Sequence, residues 1–371
     1  MRVAVVGRTY MLHANRAKWQ HMPEDMALTL ITPARAGHTL RLYDVEPSQR
    51  WPHHVVPGWM TERLSGFSFS PFRLWQALRR ARPHLVQVDE EPASVALLQI
   101  LLLKRMLGYK VIFFTWENLV IRYPWPFEWI RRLSLKLADG AIAGTEGAAT
   151  VLRQAGYPKP LVIVPQLGVD PDHSAPQRAQ DIRNTLGLKH FTVGYVGRLV
   201  PEKGLMALLQ ALHQLGGDWQ WLIVGRGPLR AELEQQARDW GIAERLCWLD
   251  TVPHQKVPRY VNAVDVLVLP SQSTPRWKEQ LGHVLLEAMA CGVPVVGSDC
   301  GAIPDVIGEA GLVFPEGQAT ALAEHLRQLR EDEALRQKLS LMGRERVLTH
   351  FTHQRIAERT VAFWREICPC K

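Results

Sequence analysis

Cysteine is scarce in this chain. Five occur among 371 residues, Cys247, Cys291, Cys300, Cys368 and Cys370, an odd number without the regular spacing of a disulfide framework. Oxidised secreted domains pair their cysteines, so a reducing compartment is expected. Cys368-Pro369-Cys370 has no second Cys pair or His cluster to complete a metal site, and reads as an exposed tail. Long apolar runs are missing too. The longest, Val95 to Leu103, is broken by Gln99 and stops at Lys104-Arg105, well short of the roughly 20 residues that span a bilayer. No charged segment with a long apolar stretch behind it opens the chain, which runs straight into Arg2-Val3-Ala4-Val5-Val6, a buried strand by its pattern. Internal repeats, low-complexity tracts and nucleic-acid module signatures are absent, and the basic residues are scattered. Nucleic acid is therefore not an expected partner.

What is present is an ordinary globular balance, 47% hydrophobic and 22% charged, in a chain long enough for two α/β domains. The formal net charge of +8 favours anionic partners without choosing among them. Short β-branched runs at 2–6, 28–31, 85–88, 111–114, 140–143 and 161–164 alternate with helical patterns. The series resumes at 192–196, 219–224, 245–249, 266–269 and 293–296, with helical periodicity at 205–215, 229–240 and 319–329. Such alternation, with strands apolar along their whole length, predicts parallel sheets covered on both faces. A polar stretch at 166–181 carrying Pro171 and Pro176 reads as the linker. The expected division is a first domain over 1–170, a second over 171–350, and a helical C-terminal stretch over 351–371 packing back on the first.

Two segments carry the chemistry. In Val193-Gly194-Tyr195-Val196-Gly197-Arg198-Leu199-Val200-Pro201-Glu202-Lys203-Gly204 a strand enters a glycine turn and a helix begins near Gly204. Unpaired N–H groups at a helix start suit a phosphate, and Arg198 and Lys203 add two cations at the same end of the sheet. Taken alone, this is equally a tight turn with two solvated cations. In the second segment Pro270-Ser271 closes a strand, and the chain runs on through Glu279-Gln280-Leu281-Gly282 to Glu287-Ala288-Met289-Ala290-Cys291-Gly292-Val293-Pro294-Val295-Val296. With Glu279 in a loop and Glu287 inside the helix, the two carboxylates bracket a helix N-terminus. Each can accept hydroxyl protons from a different part of one polyhydroxylated, phosphorylated ligand.

Together these segments resemble the retaining glycosyltransferases of the GT-B fold, family 4 (group 1). The chain matches that family's G-R-L-x-P-E-K-G turn at 197–204. It matches the E-x7-E motif at Pro270, Ser271, Glu279, Gly282 and 287–296, with Leu281 where Phe is usual and a longer loop at 272–278. The resemblance implies two Rossmann-like domains with parallel sheets facing across a cleft: the first binds the acceptor, the second a nucleoside diphosphate sugar. It implies that Gly197, Arg198 and Lys203 meet the donor diphosphate, that Glu287 accepts from ribose hydroxyls, and that Glu279 with the amides of Gln280, Leu281 and Gly282 meets the donor sugar. It implies transfer of a hexose to an acceptor hydroxyl with retention. The donor is a substrate; no cofactor and no metal are expected, although Asp170-Pro171-Asp172 spells a D-x-D string.

In the first domain the likeness is weak. Glu117, in Thr115-Trp116-Glu117-Asn118, follows a strand where relatives place a His-containing turn, and is the candidate to orient the acceptor hydroxyl. His13, Asn15, Arg16, Lys18 and Glu90-Glu91-Pro92 follow other strands at the ligand-binding edge, without assigned roles. Residues 122–132 mix aromatics with arginines, which suits an acceptor surface or peripheral contact with a membrane, and equally a core with arginines on its wet side. The expected location is cytoplasmic, with that contact at the inner face of the membrane. An epimerase or phosphorylase on the same fold, and a non-catalytic sugar-nucleotide-binding protein, remain as alternatives.

Overall fold

A computed structural model of the chain describes residues 1–38 and 41–369, so Cys370 lies outside the described residues. The chain forms two compact units, Met1–Gly168 together with the segment from His353 onward, and Val169–Thr352.

In the first unit seven strands make one parallel sheet: Arg2–Val6, Ala27–Thr32, His53–Val55, Leu85–Val88, Lys110–Thr115, Gly140–Ala143 and Leu161–Ile163. Counted along the chain, they lie in the order 3-2-1-4-5-6-7. Successive side chains of a strand point to opposite faces, and the first strand shows how each face is filled. Ala4 and Val6 pack with Leu74, Leu78, Leu97, Ile100 and Phe113, under the helices Pro71–Ala81 and Val95–Leu107. Val3 and Val5 pack with Trp19, Ile112, Phe114, Val361 and Trp364 on the other side. The last two belong to the helix His353–Ile367. There the Trp364 ring stacks on Trp19 with centroids 5.4 Å apart, and its indole N–H donates to Gln87 Oε1 at 2.7 Å.

The second unit repeats the plan with six parallel strands, Phe191–Val196, Trp219–Val224, Leu246–Leu249, Val266–Leu269, Val295–Ser298 and Leu312–Phe314. Their order is 3-2-1-4-5-6. Strand order reverses between the first and fourth strands of both sheets, and βα loops diverge at such a switch point. Most strands read from sequence recur within one or two residues. The strand expected from Val293 begins at Val295, because the helix His283–Ala290 ends in a turn at Gly292 (φ +70°) and Pro294 follows. The edge strands His53–Val55 and Leu312–Phe314 escape the sequence pattern, being three residues long and only partly buried. Among the described residues no helix is long and apolar enough to cross a membrane.

Trp364→Ala removes a fully buried indole and the N–H that Gln87 accepts. A loss of about 3–5 kcal/mol is expected, read as a lower denaturant midpoint for the first unit. Trp364→Phe, which keeps the stacking but not the N–H, should recover part of it.

Candidate active site

The switch point of the second sheet gathers the two motif segments. After the first strand of that sheet, Gly197 and Arg198 leave its carboxyl edge. A short 3-10 turn, Pro201–Lys203, then leads through Gly204 to the helix Leu205–Leu215. After the fourth strand, Pro270 and Ser271 leave the same edge, and Gly282 caps the helix His283–Ala290. Gly204 holds the two exits together. Its φ is +66°, and a Cβ there would stand 1.9 Å from the Pro270 carbonyl oxygen, so no side chain fits. Gly282, with φ +68°, has the same constraint against Leu269 at 2.7 Å.

The glycines bring the charges into contact. Lys203 Nζ donates to Glu279 Oε2 at 2.5 Å, and Ser271 Oγ donates to the same oxygen at 2.7 Å. Both side chains of this pair are largely buried, at 14% and 10% exposure. The Trp277 ring covers Lys203, with Nζ 5.0 Å from the ring centroid. Around them lies a cavity of about 350 Å³, lined among others by Gly197, Arg198, Lys203, Trp277, Glu279 and Gln280. Arg198 contrasts with Lys203: its side chain is 67% exposed and, among the described residues, forms an ion pair only with Glu202, at 3.6 Å. Its carbonyl accepts from Tyr195 OH at 2.7 Å, which fixes the backbone of the turn. Leu281 is buried, occupying the core position where Phe is usual.

Glu287 lies one helical turn inside the same helix and is buried, not on the surface. His254 Nδ1 and His283 Nδ1 both stand 3.5 Å from its Oε1. Neither histidine was given a role from sequence, nor was Trp277, and Ser271 was matched in the motif without a role. His254 comes from a loop after a different strand, so no local spacing links it to Glu287. Trp277 sits in the longer loop, where the Thr274 N–H donates to the Trp277 carbonyl at 2.8 Å and closes a tight turn. Asp170 Oδ1 accepts from the N–H groups of Asp172 at 2.9 Å and His173 at 3.3 Å, so the D-x-D string forms a turn within the linker.

The first unit's switch point has a different chemistry. Arg8 and Glu90 form a two-pronged pair, at 2.5 and 3.0 Å, and Tyr10 OH donates to Asp89 Oδ2 at 2.5 Å. Asp89 Oδ2 also accepts from Gln166 Nε2, at 3.0 Å. Arg16 and Lys18 are not ligand-edge cations. Both are buried: Arg16 donates to the carbonyls of Tyr10 and Met11, and Lys18 lies 4.3 Å over the Trp19 ring. Asn15 donates to the Thr9 carbonyl, while His13 is exposed. Glu117 is half-buried and accepts from Tyr123 OH. Beside it, Glu91 accepts from Thr115 Oγ1 at 2.5 Å and the Trp116 N–H at 2.9 Å. Burial, then the facing Glu117 carboxylate, pushes Glu91 well above the usual carboxylate range, and burial also raises Glu117.

A carboxyl whose folded pKa is raised binds protons more tightly in the folded state than in the unfolded one. Stability is then lost as pH rises above the ordinary glutamate value toward the raised one. Unfolding of the first unit should therefore become easier from mildly acidic to neutral pH, and Glu91→Gln should flatten that slope. Denaturant midpoints across this range measure it; a parent-like slope in Glu91→Gln removes Glu91 as its source.

Comparison with known proteins gives the family and the fold. The model for "Glycosyl transferases group 1" matches residues 177–346, and that for "Glycosyltransferase Family 4" matches residues 22–173. The 2-deoxystreptamine glucosyltransferase of Streptomyces kanamyceticus is 32% identical over 216 residues, 55% of this chain and 54% of that protein. The alpha-maltose-1-phosphate synthase of Mycolicibacterium smegmatis is 30% identical over 260 residues, 64% of this chain and 66% of that protein. The chain thus spans between about half and two thirds of the length of these curated relatives. Among solved structures, Anabaena HepE in complex with UDP superposes with a TM-score of 0.79 at 18% identity, over 99% of this chain and 100% of that one. The chain belongs to the group 1, family 4 glycosyltransferases and has their GT-B fold of two Rossmann-like domains.

Proposed function

We propose that the protein transfers a hexose from a nucleoside diphosphate sugar to an acceptor hydroxyl, with retention at the anomeric carbon. The observation that carries this reading is the convergence of Arg198, Lys203 and Glu279 at one switch point, around a cavity of about 350 Å³, with Glu287 one turn inside the helix that starts there. The solved HepE structure holds UDP, which favours a nucleoside diphosphate for this chain. Arg198 and Lys203 meet the diphosphate. Their charges act most strongly as the bond from the anomeric carbon to the phosphate oxygen breaks, because negative charge grows on that oxygen. Glu287 accepts from the ribose hydroxyls. Glu279, aligned by Ser271, accepts from hydroxyls of the sugar, beside the amides of Gln280, Leu281 and Gly282. As the new bond forms from acceptor oxygen to anomeric carbon, the hydroxyl proton passes to the departing phosphate oxygen, so no strong protein base is required. Glu117, already accepting from Tyr123, serves to orient the acceptor hydroxyl rather than to remove its proton.

The test needs no acceptor. A screen of nucleoside diphosphate sugars for slow nucleotide release should find one donor that the protein hydrolyses. Glu287→Ala should bind the matching nucleotide more weakly by about 1.5–3 kcal/mol for each charged hydrogen bond lost. Unchanged affinity by calorimetry would remove the ribose assignment.

The diphosphate charge is met by protein cations, so activity should survive EDTA. Complete loss on chelation, restored by manganese or magnesium, would overturn the metal-free reading and return Asp170 and Asp172 as ligands.

A further inference from the structure

Large apolar side chains are exposed very unevenly. Of the fourteen recorded among the described residues, only Leu341 and Leu348 belong to the second unit. In the first unit four of the twelve lie on three helices, Pro71–Ala81, Val95–Leu107 and Phe127–Leu137, which pack side by side over one face of the sheet, and three more lie in the loop before the third helix. Phe72, Leu102, Met106 and Trp129 stand on these helices at 54–72% exposure. The loop leading into the third helix adds Val120 at 72% and Trp125 at 84%. Burial of the opposite positions, Leu74, Leu78, Leu97, Ile100 and Leu135, shows that the core is already satisfied without them. These apolar side chains face outward, away from the core.

The charge on the same helices is one-sided. Their sequences hold eight basic residues, Arg73, Arg79, Arg80, Lys104, Arg105, Arg131, Arg132 and Lys136, and one acidic residue, Glu128. Glu128 is taken by Arg131 and Arg132 at 2.9 and 2.8 Å, and Arg122 adds a further cation in the loop. On the third helix Trp129, Arg132 and Lys136 follow at helical spacing, all exposed. A helix of the second unit, Arg230–Asp239, shows the ordinary alternative: two arginines against Glu232, Glu234 and Asp239, with no large apolar residue exposed.

Lys104 is paired with Asp139 at 2.6 Å, yet basic residues on these helices still outnumber acidic ones, and exposed Trp, Phe, Leu and Met beside such a cationic excess fit a surface that is apolar just beneath a layer of negative charge. A protein partner would satisfy the apolar side chains, but it would need a matching acidic rim along all three helices. An anionic bilayer supplies both at once: headgroup phosphates for the arginines, and an interfacial zone where Trp is favoured. We propose that this three-helix face docks the protein on the surface of an anionic membrane, without spanning it. The inference does not depend on the donor-site reading, because none of its residues lies at that site.

Sedimentation of the full chain with vesicles tests it. The protein should pellet with phosphatidylcholine vesicles containing phosphatidylglycerol, and not with phosphatidylcholine alone. The double variant Trp125→Ala, Trp129→Ala should bind at least about tenfold more weakly, from the apolar area left in water. Arg122→Gln with Arg132→Gln should weaken binding roughly twenty-five-fold, each cation near an anionic surface contributing roughly fivefold. Leu341→Ser, at an exposed apolar position on the second unit, should bind as the parent does. The denaturant midpoint of the unit that carries each substitution serves as its folding check. The proposal is overturned if the parent ignores the anionic vesicles or binds both kinds equally, or if the face variants bind as the parent does. It is overturned equally if ultracentrifugation shows a dimer that Trp125→Ala, Trp129→Ala dissolves, since the face would then be covered by a second copy.

Discussion

The approach of Gly204 to the Pro270 carbonyl is the constraint on which the donor-site geometry rests. Parallel strands deliver every βα loop to one edge of the sheet, but at a switch point the loops lead apart. The turn after the first strand and the loop after the fourth would diverge unless something held them. A glycine with φ +66°, where a Cβ would stand 1.9 Å from a carbonyl oxygen, lets the two backbones touch. Lys203 is the neighbour of that glycine, and Glu279 lies nine residues beyond Pro270. Their 2.5 Å contact follows from the backbone contact. Any side chain at position 204 would separate the exits and, with them, the pair.

The two switch points show how one topology yields different chemistry. In the first unit the cation at the glycine turn, Arg8, is spent on Glu90 in a two-pronged internal pair with side-chain exposures of 16% and 2%. In the second unit the corresponding cation, Arg198, remains 67% exposed with only a distant partner. An internally paired arginine stiffens a loop, whereas an exposed one beside a cavity can meet an anion. The fold is common to both units; the placement of one carboxylate separates an internally paired turn from one whose cation stays open to an anion.

Much of the architecture was legible because parallel sheets covered on both faces leave nearly continuous apolar strands. Arg2–Val6, Leu85–Val88, Trp219–Val224 and Val266–Leu269 are cases where the run and the strand coincide. The edge strands Leu161–Ile163 and Leu246–Leu249 were read, but His53–Val55 was not, since His53 and His54 bury little and break the apolar run. At the candidate site, the residues in contiguous motifs could be named from sequence. Trp277, His254 and the burial of Arg16 could not, because each depends on contacts between segments far apart in the chain. Arg16 is the instructive case. A cation after a strand suggests a ligand, yet this one donates to the nearby carbonyls of Tyr10 and Met11 and to the carbonyl of Glu46, thirty residues further along the chain.

The Lys203–Glu279 pair also bears on how the proposed donor would enter. Separating a largely buried ion pair leaves two uncompensated charges and is costly, so a site that had to break it would lose much of the donor's binding energy. An ammonium carries three N–H donors, and Glu279 takes one of them. A diphosphate can therefore join Lys203 without displacing Glu279. Ser271 and the Trp277 ring hold the carboxylate and the ammonium in position before any ligand arrives. Arg198 is the exposed cation of the two, paired only loosely with Glu202 at 3.6 Å. One fixed charge and one exposed charge suit a diphosphate that must be bound firmly as substrate and stabilised further as it leaves, because only the second demand requires an interaction that strengthens during the reaction.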